Sequence, residues 1–226
     1  AKAPVRFMNL EHPYPHEKPP FGLAGWTKDG KGVVVNHKYD LWLLALDGSK
    51  ATNLTAGLGT KEEIKFDYVS LDPLDEYIDT RKPITLSAYG EWTKKSGFYS
   101  VLPGQSPRPI LFEDRDFGNP IKALHADRIL FTRQTFIEFP DYYSSTTQFT
   151  NVKRVTNANP QQKNYAWGSR VLVDYTNSKG QRLQGTLTLP ANYKPGEKYP
   201  MIVYFYEKMS QNHHQYSMPV YDDRPH

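Results

Sequence analysis

The chain has 226 residues, with 28 basic and 24 acidic side chains and no cysteine. Without cysteine, a disulfide framework and a thiolate metal site are excluded. The basic residues form no run typical of nucleic-acid binding, and no apolar stretch reaches the roughly 18 residues that a membrane-spanning helix needs. We therefore expect a chain with no cofactor, no metal, no nucleic-acid partner and no membrane span.

The first part of the chain consists of short apolar runs separated by turn residues. Aromatic residues make up 14% of the sequence, and its 18 prolines and 15 glycines lie singly between the runs. Aromatic side chains favour strands, and isolated Gly and Pro mark turns, so we expect a mostly β fold. The first meander combines a turn at 26–30, apolar runs at 33–35 and 39–46, an Asp47-Gly48 turn and a short run at 51–55.

One set of residue offsets then recurs along the chain. Asp40 lies 15 residues before Thr55, and Asp141 lies 15 residues before Thr156. A weaker copy begins at Gly97. Each copy has an aromatic residue two positions after its first residue and an aliphatic residue fourteen positions after it: Trp42 and Leu54, Tyr99 and Leu111, Tyr143 and Val155.

The copies begin 57 and 44 residues apart, and these spacings bracket the length of a four-stranded propeller blade. Residues 1–160 are therefore predicted to form about three blades of a partial β-propeller. Three blades cannot close a ring, because propellers use about four to eight of them. We accordingly expect further blades before Ala1.

The pattern changes after residue 160. Runs at 170–175 and 183–189 flank a turn at 177–180, which predicts an antiparallel hairpin ending at Pro190. A polar loop follows at 191–198. The continuous apolar run at 199–206 has the length of a strand and is typical of one buried on both faces.

The region after this change carries the most specific motif of the chain. It reads Leu183-x-Gly185-x-Leu187-x-Leu189-Pro190, then a Pro/Gly loop, then Lys198-Tyr199-Pro200 and the apolar run. This resembles the entry of the catalytic domain in the prolyl oligopeptidase family of serine peptidases, especially its dipeptidyl peptidase and acylaminoacyl peptidase branches. Segments 139–142 and 155–160 resemble the last blade before that domain. The resemblance implies that residues 161–226 begin an α/β-hydrolase domain.

The catalytic triad of such a domain is absent from these 226 residues. Its nucleophile should stand in a G-x-S-x-G elbow, and the sequence contains no such motif. We expect the triad beyond His226 and the chain alone to be inactive. Asp222 and Asp223 precede any nucleophile, so they do not suit the triad acid. The adjacent His213 and His214 should point apart on an extended segment and are not expected to bind a metal.

The resemblance assigns a chemical role to one residue, Tyr206. It matches a tyrosine at the end of the buried strand whose hydroxyl helps to form the oxyanion hole in the dipeptidyl peptidase branch. The alternative is an ordinary tyrosine at a strand end. For the parent protein the resemblance implies a serine-type peptidase that cleaves short peptides through an acyl-enzyme, in a periplasmic or secreted location, and is compatible with a homo-oligomer. The rival interpretation is a non-catalytic β-propeller that binds a protein or a glycan.

Overall fold

The computed structural model describes residues 3–72, 74–206 and 208–219, and in these ranges the chain is mostly β. The first sheet is an antiparallel meander whose strands follow chain order. Its strands are β1 (Leu23–Trp26), β2 (Gly32–Asn36), β3 (Leu41–Ala45) and β4 (Ala51–Asn53). A short helix, α1 (Leu58–Glu62), leads to the second sheet.

The second sheet repeats the four-stranded meander, and the third is a variation of it. The second comprises β5 (Ile64–Val69), β6 (Ile84–Gly90), β7 (Ser96–Val101) and β8 (Arg108–Glu113). In the third, β9 (Asp116–Phe117) and β10 (Ile121–Lys122) both pair with β11 (Ile129–Gln134), followed by β12 (Asp141–Ser145) and β13 (Lys153–Arg154). None of the described sheets closes on itself.

Two hydrophobic cores hold these sheets face to face. One core joins the first and second sheets and includes Leu41, Phe66 and Tyr99. The other joins the second and third sheets and includes Phe98 and Phe131. Successive residues of a strand point to opposite faces, so the neighbours Phe98 and Tyr99 place β7 in both cores. The second sheet is therefore the middle layer of three.

The repeated offsets predicted from the sequence fall at equivalent strands. Trp42, Tyr99 and Tyr143 each lie on the next-to-last strand of a sheet, namely β3, β7 and β12. The apolar runs before them, at 33–35, 84–86 and 129–131, all lie on the strand just before that one, namely β2, β6 and β11. The predicted equivalence of the three aromatic residues is confirmed at the level of strand position.

The hairpin predicted after residue 160 is also confirmed. A 3₁₀ helix, Pro160–Asn164, precedes β14 (Ser169–Thr176), which pairs along its length with β15 (Arg182–Leu189). The connecting turn contains Gly180 with φ of 76°. The Asn177 side-chain oxygen accepts backbone N–H bonds at 3.0 Å from Lys179 and Gln181.

The buried strand predicted at 199–206 is not formed. This segment has no ladder partner in the described part of the chain, and its side chains at 201–206 are exposed, Ile202 by 87% and Phe205 by 85%. Apolar composition alone does not make a strand, because the backbone groups of an inner strand need neighbours on both sides.

The only other helix described here is the 3₁₀ helix Ser210–Asn212, and no helix in the described ranges has the length and apolar character to cross a membrane.

Candidate functional site

A cavity of about 690 Å³ lies beside the third sheet and is the candidate site. Its volume falls in the range of about 300–1,000 Å³ found for ligand pockets. Strands β11, β12 and β13 supply one wall, and the connector at 157–168 supplies the other. The cavity therefore lies where the three-sheet region meets the hairpin region.

A buried carboxylate, Asp141, organises one side of the cavity. It is 2% exposed and accepts hydrogen bonds from the Thr156 hydroxyl at 2.6 Å and the Ala158 N–H at 2.9 Å. It also forms an ion pair with Arg154. Burial raises the pKa of Asp141, but these hydrogen bonds and Arg154 outweigh burial and hold the pKa below its ordinary value. Asp141 is thus an ionised structural anchor whose charge is compensated.

Arg133 lies on β11 and also lines the cavity. Its guanidinium carbon lies 4.3 Å from the centroid of the Tyr143 ring. Its Nε is buried and has no hydrogen-bond partner among the described residues. Arg133 was not among the site residues predicted from the sequence, although its position in the strand carries a signal. Residues i and i+2 of a strand share a face, so Arg133 follows the buried Phe131 on an inward face.

Trp167 lines the connector side of the cavity and packs against two further aromatic rings. The Trp167 ring contacts Phe136 and Tyr216, with centroids 6.1 and 5.2 Å away. Trp167 Nε1 is buried without a hydrogen-bond partner in the described ranges. The Tyr216 hydroxyl accepts a bond from Asn159 at 3.0 Å, which ties the segment near Tyr216 to the connector.

Arg170 holds that segment against the hairpin. Its Nη1 donates to the carbonyl oxygens of Asn212 at 3.0 Å and Gln215 at 3.2 Å. Its guanidinium carbon lies 4.1 Å from the centroid of the Phe136 ring. One arginine on β14 therefore connects the hairpin, the loop between β11 and β12, and the segment at 212–217.

The histidine pair is arranged differently from the sequence-based expectation. The rings of His213 and His214 do not point apart: their centroids are 4.7 Å apart at 72°. The backbone at His213 is helical after the 3₁₀ turn, so the alternation of an extended segment does not apply. In the described part of the chain, no group of three or more His, Asp or Glu residues could hold a metal ion.

The structure does not bring Tyr206 into this cavity. Tyr206 is 70% exposed and follows the irregular segment at 201–205. It is not among the residues that line the cavity. Asp222 and Asp223 lie outside the described residues.

Comparisons with known proteins give a likeness of fold. No family model and no curated protein matches the chain. Among solved structures, two of the AtxE2 isopeptidase are similar, a variant with Astexin3-dC4 bound and the apo form. Each has a TM-score of 0.52 and 15% sequence identity over 81% of this chain. The chain spans only 28% and 27% of their lengths.

These comparisons overturn the family assignment made from the sequence. The structural neighbours are an isopeptidase, and neither the family models nor the curated proteins support membership of the prolyl oligopeptidase family. The motif at 183–200 was a weak basis for it, because spaced Leu, Gly and Pro residues fit any hairpin followed by a loop. The strand expected next to that motif is also not formed.

Proposed function

We propose that this chain is the substrate-binding part of a serine-type peptide hydrolase. The observation that carries the proposal is the likeness of fold to an isopeptidase over 81% of the chain. The cavity beside the third sheet, with its polar and aromatic lining, suits a short peptide. Catalysis is assigned to residues outside these 226, because the sequence contains no G-x-S-x-G elbow.

In this proposal the three sheets are consecutive blades of a β-propeller in residues 1–160. The support is that successive four-stranded meanders pack face to face, with equivalent residues on equivalent strands. Residues 161–226 are then the start of an α/β-hydrolase domain, whose first hairpin is β14–β15.

Tyr206 keeps its proposed role as an oxyanion donor in the full enzyme. Its support is positional: the exposed apolar run at 201–205 would become a central strand when neighbouring strands pair with it. Such pairing would place Tyr206 at the carboxyl edge of the sheet, where α/β folds bind ligands.

Labelling with a fluorophosphonate tests the proposal, because this probe reacts with activated serines. The isolated chain should show no stoichiometric labelling and no hydrolysis of a fluorogenic peptide panel. The product of the full reading frame should hydrolyse peptides and carry the label on a serine outside these 226 residues. A full-length product that neither cleaves nor labels would contradict the proposal and favour a non-catalytic propeller that binds a protein or glycan.

A further inference from the structure

The cavity contains two cations without a carboxylate partner among residues 3–72, 74–206 and 208–219. The Arg133 guanidinium forms no ion pair and no hydrogen bond there, and its contact with Tyr143 leaves its charge in place. Lys163, in the 3₁₀ helix of the connector, likewise forms no ion pair with a described residue. The lining therefore contains positive charge that the described residues do not neutralise.

The acidic residues of the cavity are already engaged. Asp141 is paired with Arg154 and accepts two further hydrogen bonds. Glu138 is paired with Arg115. Neither carboxylate is free to compensate Arg133, so the cavity favours an anionic ligand.

Unsatisfied donors point to the same conclusion. Arg133 Nε and Trp167 Nε1 are both buried without an acceptor in the described part of the chain. Buried donors in native proteins are nearly always paired, so two of them in the lining of one cavity indicate a ligand that brings acceptors. A planar guanidinium offers parallel N–H groups that match the two oxygens of a carboxylate.

We propose that this cavity binds a peptide through a carboxylate group, with Arg133 as its ion-pair partner and Lys163 at the rim adding attraction. The partly buried cation, Arg133, matches the one negative charge of a carboxylate, whereas a phosphate would need more hydrogen-bond donors than a carboxylate does. The aromatic side chains Tyr143 and Trp167 provide apolar surface for the adjoining peptide side chain. The choice of a peptide rests on the proposed function, but binding can be measured without hydrolysis.

Isothermal titration calorimetry on the full 226-residue chain tests this proposal at low salt. The ligands are a short peptide with an aromatic C-terminal residue and a free carboxylate, the same peptide with a C-terminal amide, the amide peptide with an added Asp side chain, and inorganic phosphate. The free acid should bind at least about tenfold more tightly than the amide. Recovery of binding by the Asp-containing amide would show that the cavity recognises a carboxylate on a side chain as well as at the C-terminus.

Variants locate the binding to Arg133. Arg133→Gln should weaken binding of the free-acid peptide by about tenfold or more. Arg133→Lys should lower the affinity by an intermediate amount, because lysine keeps the positive charge but lacks the two parallel N–H groups of the guanidinium. The control Arg108→Gln removes an exposed arginine from β8, away from the cavity, and should leave the affinity unchanged. Circular dichroism and thermal unfolding verify that each variant folds.

Three outcomes would overturn the proposal: equal affinity for acid and amide, full affinity in Arg133→Gln, or tighter binding of phosphate than of any peptide. The acid–amide comparison uses the unmodified chain, so it holds even when a variant fails to fold. Loss of hydrolysis in the full-length product would contradict the proposed function while leaving carboxylate binding intact, and the two failures are therefore distinguishable.

Discussion

The hydroxyl of Thr55 donates a 2.6 Å hydrogen bond to the carboxylate of Asp40, and both residues are buried. Thr156 repeats this bond to Asp141 at 2.6 Å in the third sheet. In both cases the N–H of the residue after the aspartate also donates to the threonine hydroxyl. The 15-residue offset thus marks a side-chain hydrogen bond that links the start of a sheet's next-to-last strand to the residues after its last strand.

Thr55→Val should destabilise the fold, because valine keeps the shape of threonine but cannot donate to Asp40. Loss of a buried hydrogen bond to a charged group costs about 1.5–3 kcal/mol of unfolding free energy, measurable by urea denaturation. Thr52→Val is a matched control on β4, since the Thr52 hydroxyl bonds to no residue in the described ranges. The control should change stability by less than about 0.5 kcal/mol. If the two variants lost equal unfolding free energy, the hydrogen bond from Thr55 to Asp40 would not be the stabilising feature.

Gly97→Ala should destabilise the second sheet. Gly97 has a φ of +151°, and an added Cβ would lie 1.9 Å from the Leu111 carbonyl oxygen, a backbone atom that cannot move aside easily. We expect a loss of at least about 2 kcal/mol in the same urea experiment. Gly104→Ala is the control for backbone strain alone, because its φ is +90° and its Cβ would contact nothing within 4 Å. A Gly97→Ala chain no less stable than the Gly104→Ala chain would refute this close approach.

Arg170→Met should release the segment at 212–217 without unfolding the sheets. Methionine keeps the apolar stem over Phe136 but cannot donate to the carbonyl groups of Asn212 and Gln215. Hydrogen–deuterium exchange should therefore accelerate in this segment. Arg182→Met is the control, since Arg182 lies on the same hairpin and stacks on Trp92 at 4.0 Å. Similar exchange at 212–217 in both variants would disprove the anchoring role of Arg170.

Acid should weaken the fold partly through His213. Burial lowers the pKa of His213 to about 4, with His214, Arg170 and Lys94 adding to the effect and Asp114 opposing it. The ordinary pKa of 6.5 applies in the unfolded chain. Between these values the unfolded chain binds a proton that the folded chain does not, so unfolding is favoured as pH falls. The stability contribution is complete above about pH 6.5 and is lost as pH approaches about 4.

Thermal unfolding between pH 7 and pH 4 checks this effect. His213→Gln should flatten the decline of the melting temperature over that window, because glutamine does not titrate. His125→Gln, at an exposed loop position, should leave the decline as steep as in the unmodified chain. Identical pH profiles for the unmodified chain and His213→Gln would show that His213 does not contribute.

Tyr206→Phe should lower kcat by about a hundredfold in the product of the full reading frame, as loss of one oxyanion donor does. KM should change little, because the donor acts mainly on the transition state. Steady-state kinetics with a chromogenic peptide measure both constants. Tyr204→Phe, two positions earlier in the same run, serves as the control and should keep its activity. An unchanged kcat in Tyr206→Phe would identify Tyr206 as an ordinary tyrosine without a chemical role.

Much of the strand pattern could be predicted from local sequence, but α1 could not. The runs at 33–35, 84–86 and 129–131 form strands because their apolar content and flanking turns act locally. Helix α1 has only five residues and begins after Gly57 in the left-handed conformation. The Asp40 carboxylate accepts N–H bonds from Gly59 and Thr60 in its first turn. That cap comes from a residue far away in sequence, so no local pattern predicts it.

The sequence by itself determined the β character, the turns and the 15-residue offset, because each depends on neighbouring residues or on a repeat. Only the tertiary structure decided which charges are compensated, since ion pairing depends on distance in space. It pairs Asp141 with Arg154 and leaves Arg133 without a carboxylate among the described residues. It also leaves the apolar segment ending at Tyr206 exposed, because a run buries itself as a strand only when other strands pair with its backbone.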